Sequence, residues 1–274
     1  MKGKIVDPII LFRQSLAEEG ELQAIQKCFP SCFYRSSIPK GSLVIPRYSA
    51  LPYYKELEMD VNALGSSLIN SYEEHNWVAN FYYYEVLKNF TFETWDDTNF
   101  YRAPEGAYVV KGRTNSRKQN WNKQMFAASK REAINIAAEL AGDSLIGPQG
   151  IIYRKYVPLK TYGYGFNGLP FTNEWRFFFL GKRMLSCGYY WSNSETRPAK
   201  CPHECIAFAH EVADATHEFI PFYVLDIAEK AEGGWILVEI NDASMSGLSD
   251  NNPHELYSNL RKRVCQEYFI RPMI

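Results

Sequence analysis

The chain has 274 residues, enough to bury a core without metals or disulfides and sized for one large domain or two small ones. Lys and Arg total 30 against 31 Asp and Glu, a formal net charge of −1, which speaks against a nucleic-acid coat protein or a polybasic membrane binder but leaves room for a local charged pocket. Aromatic residues reach 15%, too many for a disordered chain. No run of about 18 apolar residues suggests a membrane span, and the apolar stretch at 9–12 is too short for a signal-peptide core. The six cysteines are therefore expected to be reduced thiols, and the protein cytoplasmic, in a host cytoplasm if viral.

Residues 5–12 and 43–47 are expected as short strands, each interrupted by a proline. Residues 16–29 and 73–88 have helical spacing, with Gly20 as a break in the first. The stretch 96–106 holds Asp96, Asp97, Asn99, Pro104 and Gly106, a linker signature that sets an expected boundary near residue 100. A β-rich run at 108–111 follows, then a polar loop, then a helix over 129–140 with Ser129 as N-cap. Residues 151–157 form a strand ended by Pro158, and 163–170 a turn-rich loop. A hairpin at 175–180 and 184–191 turns at Gly181-Lys182. A helix at 205–218 precedes strands at 222–228 and 235–242, joined through Gly233-Gly234. The last helix spans 253–267, with Asn252 as N-cap and Pro253 at its first position.

The last hairpin is the most informative piece. Glu239 and Asn241 are two apart, so their side chains leave one face of a strand. Depending on where the turn is centred, Asp226 opposes Glu239 or Asn241, and shares that face in either register. Three oxygen donors then converge, as a hard cation such as Mg²⁺ requires. The alternative is a solvated or paired face, although an unpaired carboxylate among Phe222–Leu225 and Trp235–Val238 would be costly. Residues 111–123 carry five bases (Lys111, Arg113, Arg117, Lys118, Lys123) and no acid, with Thr114, Asn115 and Ser116 among them. Such a loop could wrap phosphates or form an ordinary basic surface. The acidic counterpart at 226–242 holds five acids against one lysine. Arg154 and Lys155 could be the outward charges of a buried strand, and Glu174 and Arg176 could form an ion pair on one strand face.

In order, Val110-Lys111, the basic loop, Arg154-Lys155-Tyr156-Val157, Glu174-Trp175-Arg176, Asp226 and Glu239-Ile240-Asn241 resemble the ATP-grasp superfamily. The Asp226-to-Glu239 spacing resembles the D-alanine:D-alanine ligases, and Glu174-Trp175-Arg176 the glutathione synthetase and ribosomal-protein glutamate ligase group. Residues 46–52 and Val238 to Asp242 are closer still to the ATP-grasp clade found in phages, large viruses and bacteria. The resemblance implies an α+β fold: two α+β lobes gripping ATP, preceded by a small α/β pre-ATP-grasp-like domain. The expected division is 1–100 for that domain and 101–274 for the ATP-grasp domain, with a nucleotide lobe at 101–158 and a metal-bearing catalytic lobe at 159–274.

The resemblance further implies ATP and Mg²⁺ as cofactors. Lys111, Lys118, Arg154, Lys155, Tyr156, Val157 and Glu174 would bind the nucleotide, and Asp226, Glu239 and Asn241 the metal. The implied activity is carboxylate–amine ligation through an acylphosphate, with Lys111 and Arg176 as catalytic cations and small-molecule or peptide substrates. No nucleic acid or membrane partner is implied. Two departures stand out: Arg154 occupies a hinge position that is often acidic, and Val224 stands where an arginine commonly precedes the first metal Asp. The latter motivates one rival, a nucleotide-binding module without ligase activity; a small-molecule phosphotransferase is a further alternative. A G-x-G-x-x-G match at 163–168 lacks the strand–helix context of a dinucleotide site. Cys201 and Cys205 with His203 and His210 lack a second pair at zinc spacing, and Tyr82-Tyr83-Tyr84 is read as core and boundary packing.

Overall fold

The structure is a computed structural model that describes residues 6–13, 19–192 and 194–268. Ile5 of the first expected strand and residues 16–18 of the first expected helix lie outside the described residues. The N-terminal part contains β1 (Val6–Phe12), α1 (Glu19–Cys28), β2 (Ser31–Cys32), β3 (Ser42–Arg47), α2 (Tyr54–Ala63), β4 (Ser67–Leu68), α3 (Tyr72–Ala79) and α4 (Tyr84–Leu87). Its strands form a parallel sheet in the order β2-β1-β3-β4. Both prolines sit where a lost N–H does least harm. Pro8 lies in the register shift between Val6 and Ile9, and Pro46 lies beyond the short β4, which pairs β3 only at Leu43 and Val44.

The helix expected over 73–88 is two helices. Ser71 and Glu74 cap the first reciprocally, a capping box. The break falls at Phe81, whose φ is 66°, a conformation that a helix does not admit for an L residue. Tyr83 is buried and Tyr82 exposed.

A second sheet has the order β5-β8-β6-β7, from β5 (Thr94–Asp96), β6 (Tyr108–Gly112), β7 (Phe126–Ala127) and β8 (Ile151–Lys155). The short α5 (Trp121–Gln124) precedes β7, and α6 (Lys130–Ala141) packs on the sheet. β5 precedes residue 100, yet it pairs with β8 at Trp95–Tyr153. The loop expected at 163–170 lies within a small hairpin of β9 (Thr161–Tyr164) and β10 (Pro170–Thr172).

The third sheet, β12-β11-β13-β14, is antiparallel. It comprises β11 (Glu174–Leu180), β12 (Arg183–Tyr189), β13 (Phe222–Glu229) and β14 (Trp235–Asp242), with α7 (His203–Thr216) between β12 and β13 and α8 (Pro253–Tyr268) at the end. Alternation along β11 sorts its side chains. Trp175, Phe177 and Phe179 enter the core shared with α7. Phe178 enters the core shared with α1, α8 and β1 of the N-terminal sheet, as do Phe222 and Val224 of β13. Towards the other end of that same face, alternation delivers Glu174, Arg176 and Asp226. The third sheet thus turns one continuous face from a hydrophobic core into a charged cleft. Asn70 ties the N-terminal part to it, donating to Phe222 O (2.7 Å) and accepting from Phe222 N (2.9 Å).

Candidate active site

In β13 and β14, Asp226 opposes Glu239 directly and Val224 opposes Asn241, so the three predicted oxygen donors share one face. The pairing shifts register between Asp226 and Ile227, because Ile227 opposes Leu237. Val238 is the extra residue of this bulge. The shift keeps Leu237 in the hydrophobic core while Val238 lines the cleft and accepts a hydrogen bond from Arg154 through its carbonyl.

Both carboxylates are held by cations from other strands. β11 runs antiparallel to β13 with Arg176 directly opposite Asp226. The guanidinium donates from Nε and Nη2 to the two carboxylate oxygens, each at 2.8 Å, a bidentate pair, and donates from Nη1 to Gly247 O at 2.8 Å. Arg176 therefore pairs with Asp226, not with Glu174. Lys111, at 7% exposure, reaches from β6 to pair with Glu239. Burial acts against ionisation of Glu239, but Lys111 and Lys118 outweigh it and hold its carboxyl down at about 2. Burial lowers Lys111 despite the Glu239 partner. Glu174 differs: burial, against the opposing pull of Lys118, raises it to about 7. It accepts from Thr172 Oγ1 at 2.9 Å.

The basic loop divides. Arg117 is committed to Asp143, with Nε 2.8 Å from Oδ2, and Lys123 is exposed. Lys118 turns inward. It donates to the Tyr190 hydroxyl and lies 4.4 Å from the Tyr190 ring centroid and 5.4 Å from that of Trp191. Arg154 and Lys155 also part company. Lys155 points outward to Glu93 (2.7 Å), whereas Arg154 is buried, stacks over Phe92 at 4.6 Å and donates to Thr91 Oγ1 at 2.6 Å.

Two cavities meet at these charges. The first is apolar, lined by Phe92, Val109, Met125, Tyr156, Val157, Leu159, Leu169 and Val238, with Lys111, Arg154, Lys155 and Glu174 among its polar residues. The second contains Arg176, Asn241, Asp242, Thr114 and Asn115, with Ser49, Leu51, His75 and Val78 from the N-terminal part. Ser116, Lys118 and Glu239 line both. Every predicted nucleotide-binding residue lines the first cavity. Of the three predicted metal and catalytic residues outside it, Arg176 and Asn241 line the second and Asp226 contacts Arg176. His75, Asp242, Tyr190 and the 243–247 loop were not foreseen as site residues; only Asp242 carried a sequence signal, as the last residue of the Glu239 motif. Among the described residues, no cluster of three His, Cys, Asp or Glu side chains could hold a metal ion; the set at Asp226 and Glu239 requires Asn241 as its third donor.

An apolar cavity that also carries cations and carboxylates has the chemistry of a purine nucleotide site, and the lobes that form it are those of the ATP-grasp fold. A family model described as "ATP-grasp domain, R2K clade family 3" matches residues 101–260, and the chain belongs to this family. The solved D-cycloserine synthetase DcsG superposes with a TM-score of 0.61 at 12% identity, covering 93% of this chain and 99% of that one. D-alanine–D-alanine ligase from Bacillus anthracis, complexed with ATP, gives 0.61 at 10% identity over 96% of each chain. The ATP-grasp ligase PsnB, complexed with a precursor variant, Mg and ADP, gives 0.55 at 9% identity, covering 95% of this chain and 100% of that one. The fold is that of the ATP-grasp ligases. No curated protein matches the sequence. No helix among the described residues is long and apolar enough to cross a membrane.

Proposed function

We propose that the protein is an ATP- and Mg²⁺-dependent carboxylate–amine ligase working through an acylphosphate. The observation that carries this reading is the opposed pair Asp226–Glu239, with Asn241 on the same face, placed where an apolar slot opens into a polar cavity. The residues fit both groups. Arg154 Nε is a buried donor with no partner in a residue lining the slot, and an adenine ring offers acceptors. Two carboxylates and an amide oxygen suit a hard cation that keeps positions open for phosphate. Bound Mg²⁺ would supply charge neutralisation on the triphosphate.

The remaining roles belong to the chain itself. Residues 155–157 and the apolar lining hold the base. Lys111 and Lys118 stand at the inner end of the slot, where phosphate charge would lie. Nucleotide and metal binding would release Glu239 from Lys111 and leave both cations for phosphate oxygens. Arg176, bound to Asp226 and lining the second cavity, faces the point where a carboxylate receives the phosphoryl group. It offsets the charge that develops there. The arginine missing at Val224 is thus supplied from the neighbouring strand. The N-terminal part up to α4 serves as the substrate-side domain, 101–158 together with β5 as the nucleotide lobe and 159–274 as the metal lobe. Incubation with ATP, Mg²⁺ and pooled amino acids should release ADP and phosphate, and Asp226→Ala and Glu239→Ala should abolish this. Full turnover in both variants would refute the metal assignment, ATP affinity without turnover would favour a binding module, and a phosphorylated product without condensation a phosphotransferase.

A further inference from the structure

The second cavity contains a histidine that phosphoryl transfer does not use. His75, on α3, is 2% exposed and lines that cavity. Its ring stacks on Tyr54 with centroids 4.0 Å apart and an interplanar angle of 2°. Its Nδ1 lies 3.1 Å from Asp242 Oδ2. The other oxygen of that carboxylate accepts from the Asn70 side-chain amide and from Ser244 N, each at 2.8 Å. In the neutral ring, a carboxylate acceptor at Nδ1 favours the tautomer with the hydrogen on that nitrogen and the lone pair on Nε2. The stack fixes the ring plane and Asp242 fixes the tautomer, the arrangement that orients a catalytic imidazole.

The surroundings of this ring include apolar groups as well as charged ones. Val78 and Ala79 follow His75 at three and four residues, so they share its helix face. Together with Leu51 and Met245 they form an apolar wall of the cavity. Lys118, Arg176 and Glu239 line the same cavity at the phosphate end. Tyr54, stacked on the ring, has Glu58 of α2 and Glu74 of α3 among its charged neighbours. An amine acceptor is an ammonium at neutral pH and cannot attack an acyl carbon until it loses a proton.

Building on the ligase reading, we propose that His75 is the general base for the acceptor amine, with Asp242 as its positioning residue. The acceptor is an amino-acid-like molecule with a small apolar side chain, seated on Leu51, Val78, Ala79 and Met245. Nε2 takes one proton from the ammonium. The freed lone pair forms the C–N bond at the acyl carbon. The C–O bond to phosphate breaks, and its electron pair leaves with the phosphate, which takes the second N–H proton. The third hydrogen stays on the amide.

Hydroxylamine provides the test, because it is unprotonated at neutral pH and needs no base. Wild type, His75→Gln and His75→Asn are assayed with ATP, Mg²⁺ and pooled amino acids, with and without hydroxylamine; the asparagine retains a donor towards Asp242. Both variants should lose roughly a hundredfold or more in amine-dependent turnover. Hydroxamate formation should stay within about twofold of wild type, as expected when only the proton-transfer step is lost. Parallel loss of both rates, or loss of neither, overturns the assignment of His75. A wild-type protein that forms no hydroxamate overturns the ligase reading itself, and the base with it.

Discussion

Glu174 offers a test of the cleft electrostatics that needs no substrate. Burial raises its carboxyl from 4.5 to about 7, so the folded chain holds this proton more tightly than the unfolded chain does. The fold therefore loses stability as pH rises between the two values. Below the lower value both states are protonated and nothing is lost; above the upper value the full difference applies. The linkage amounts to about 3 kcal/mol near pH 8 and under about 1 kcal/mol near pH 5. Glu174→Gln removes the ionisation and keeps an oxygen for the Thr172 hydroxyl, now 2.9 Å away. The variant should be more stable than wild type by about 2–3 kcal/mol near pH 8, and by under about 1 kcal/mol near pH 5. Glu239 does not blur the comparison, because its depressed value of about 2 keeps it ionised at both pH values; its stabilisation fades only on further acidification. Urea unfolding of ligand-free protein at the two pH values measures the difference, provided the denaturant slope is unchanged. An equal effect of the substitution at both would refute the assignment of a buried, proton-retaining Glu174.

Other outcomes follow from single contacts. Arg176→Met leaves Asp226 without its bidentate partner and should lower kcat by roughly a hundredfold or more with a small change in nucleotide affinity; steady-state kinetics beside ATP binding separates the two. Arg154→Met should weaken ATP binding by roughly tenfold, since its unpaired Nε loses a ring acceptor worth about 1–2 kcal/mol, as calorimetry would show. In Gly188→Ala the new Cβ would lie 2.3 Å from Asn251 N and 2.4 Å from Asp250 C. Backbone atoms cannot swing aside, so equilibrium unfolding should show a loss of about 2 kcal/mol or more.

Much of the third sheet was legible in the sequence because its signals are local. Alternation put Glu239 and Asn241 on one face, Gly233-Gly234 marked the turn, and one of the two candidate registers, Asp226 opposite Glu239, is the one observed. The bulge at Val238 left no sequence signal, since a one-residue register shift costs no particular residue type. The helix break at Phe81 was equally silent. The basic loop was visible as charge, but not which charges turn inward. Arg117 meets Asp143 and Lys118 meets Tyr190 through contacts spanning 26 and 72 residues.

The sequence by itself determined most of the longer local elements, the shared face of the three oxygen donors and the opposed basic and acidic segments hidden beneath a net charge of −1. Periodicity and charge are properties of neighbouring residues, so one strand or one loop suffices to display them. Tertiary structure alone decided the partners: Arg176 against Asp226 by strand register, Lys111 against Glu239 across two sheets. It also brought His75 to Asp242 across 167 residues of chain. Such pairings depend on how sheets stack and helices dock, and burial then converts them into shifted proton affinities. Two carboxylates, Glu174 and Glu239, are identical in sequence terms and end at about 7 and about 2, because one is buried with a hydroxyl partner and the other against a lysine.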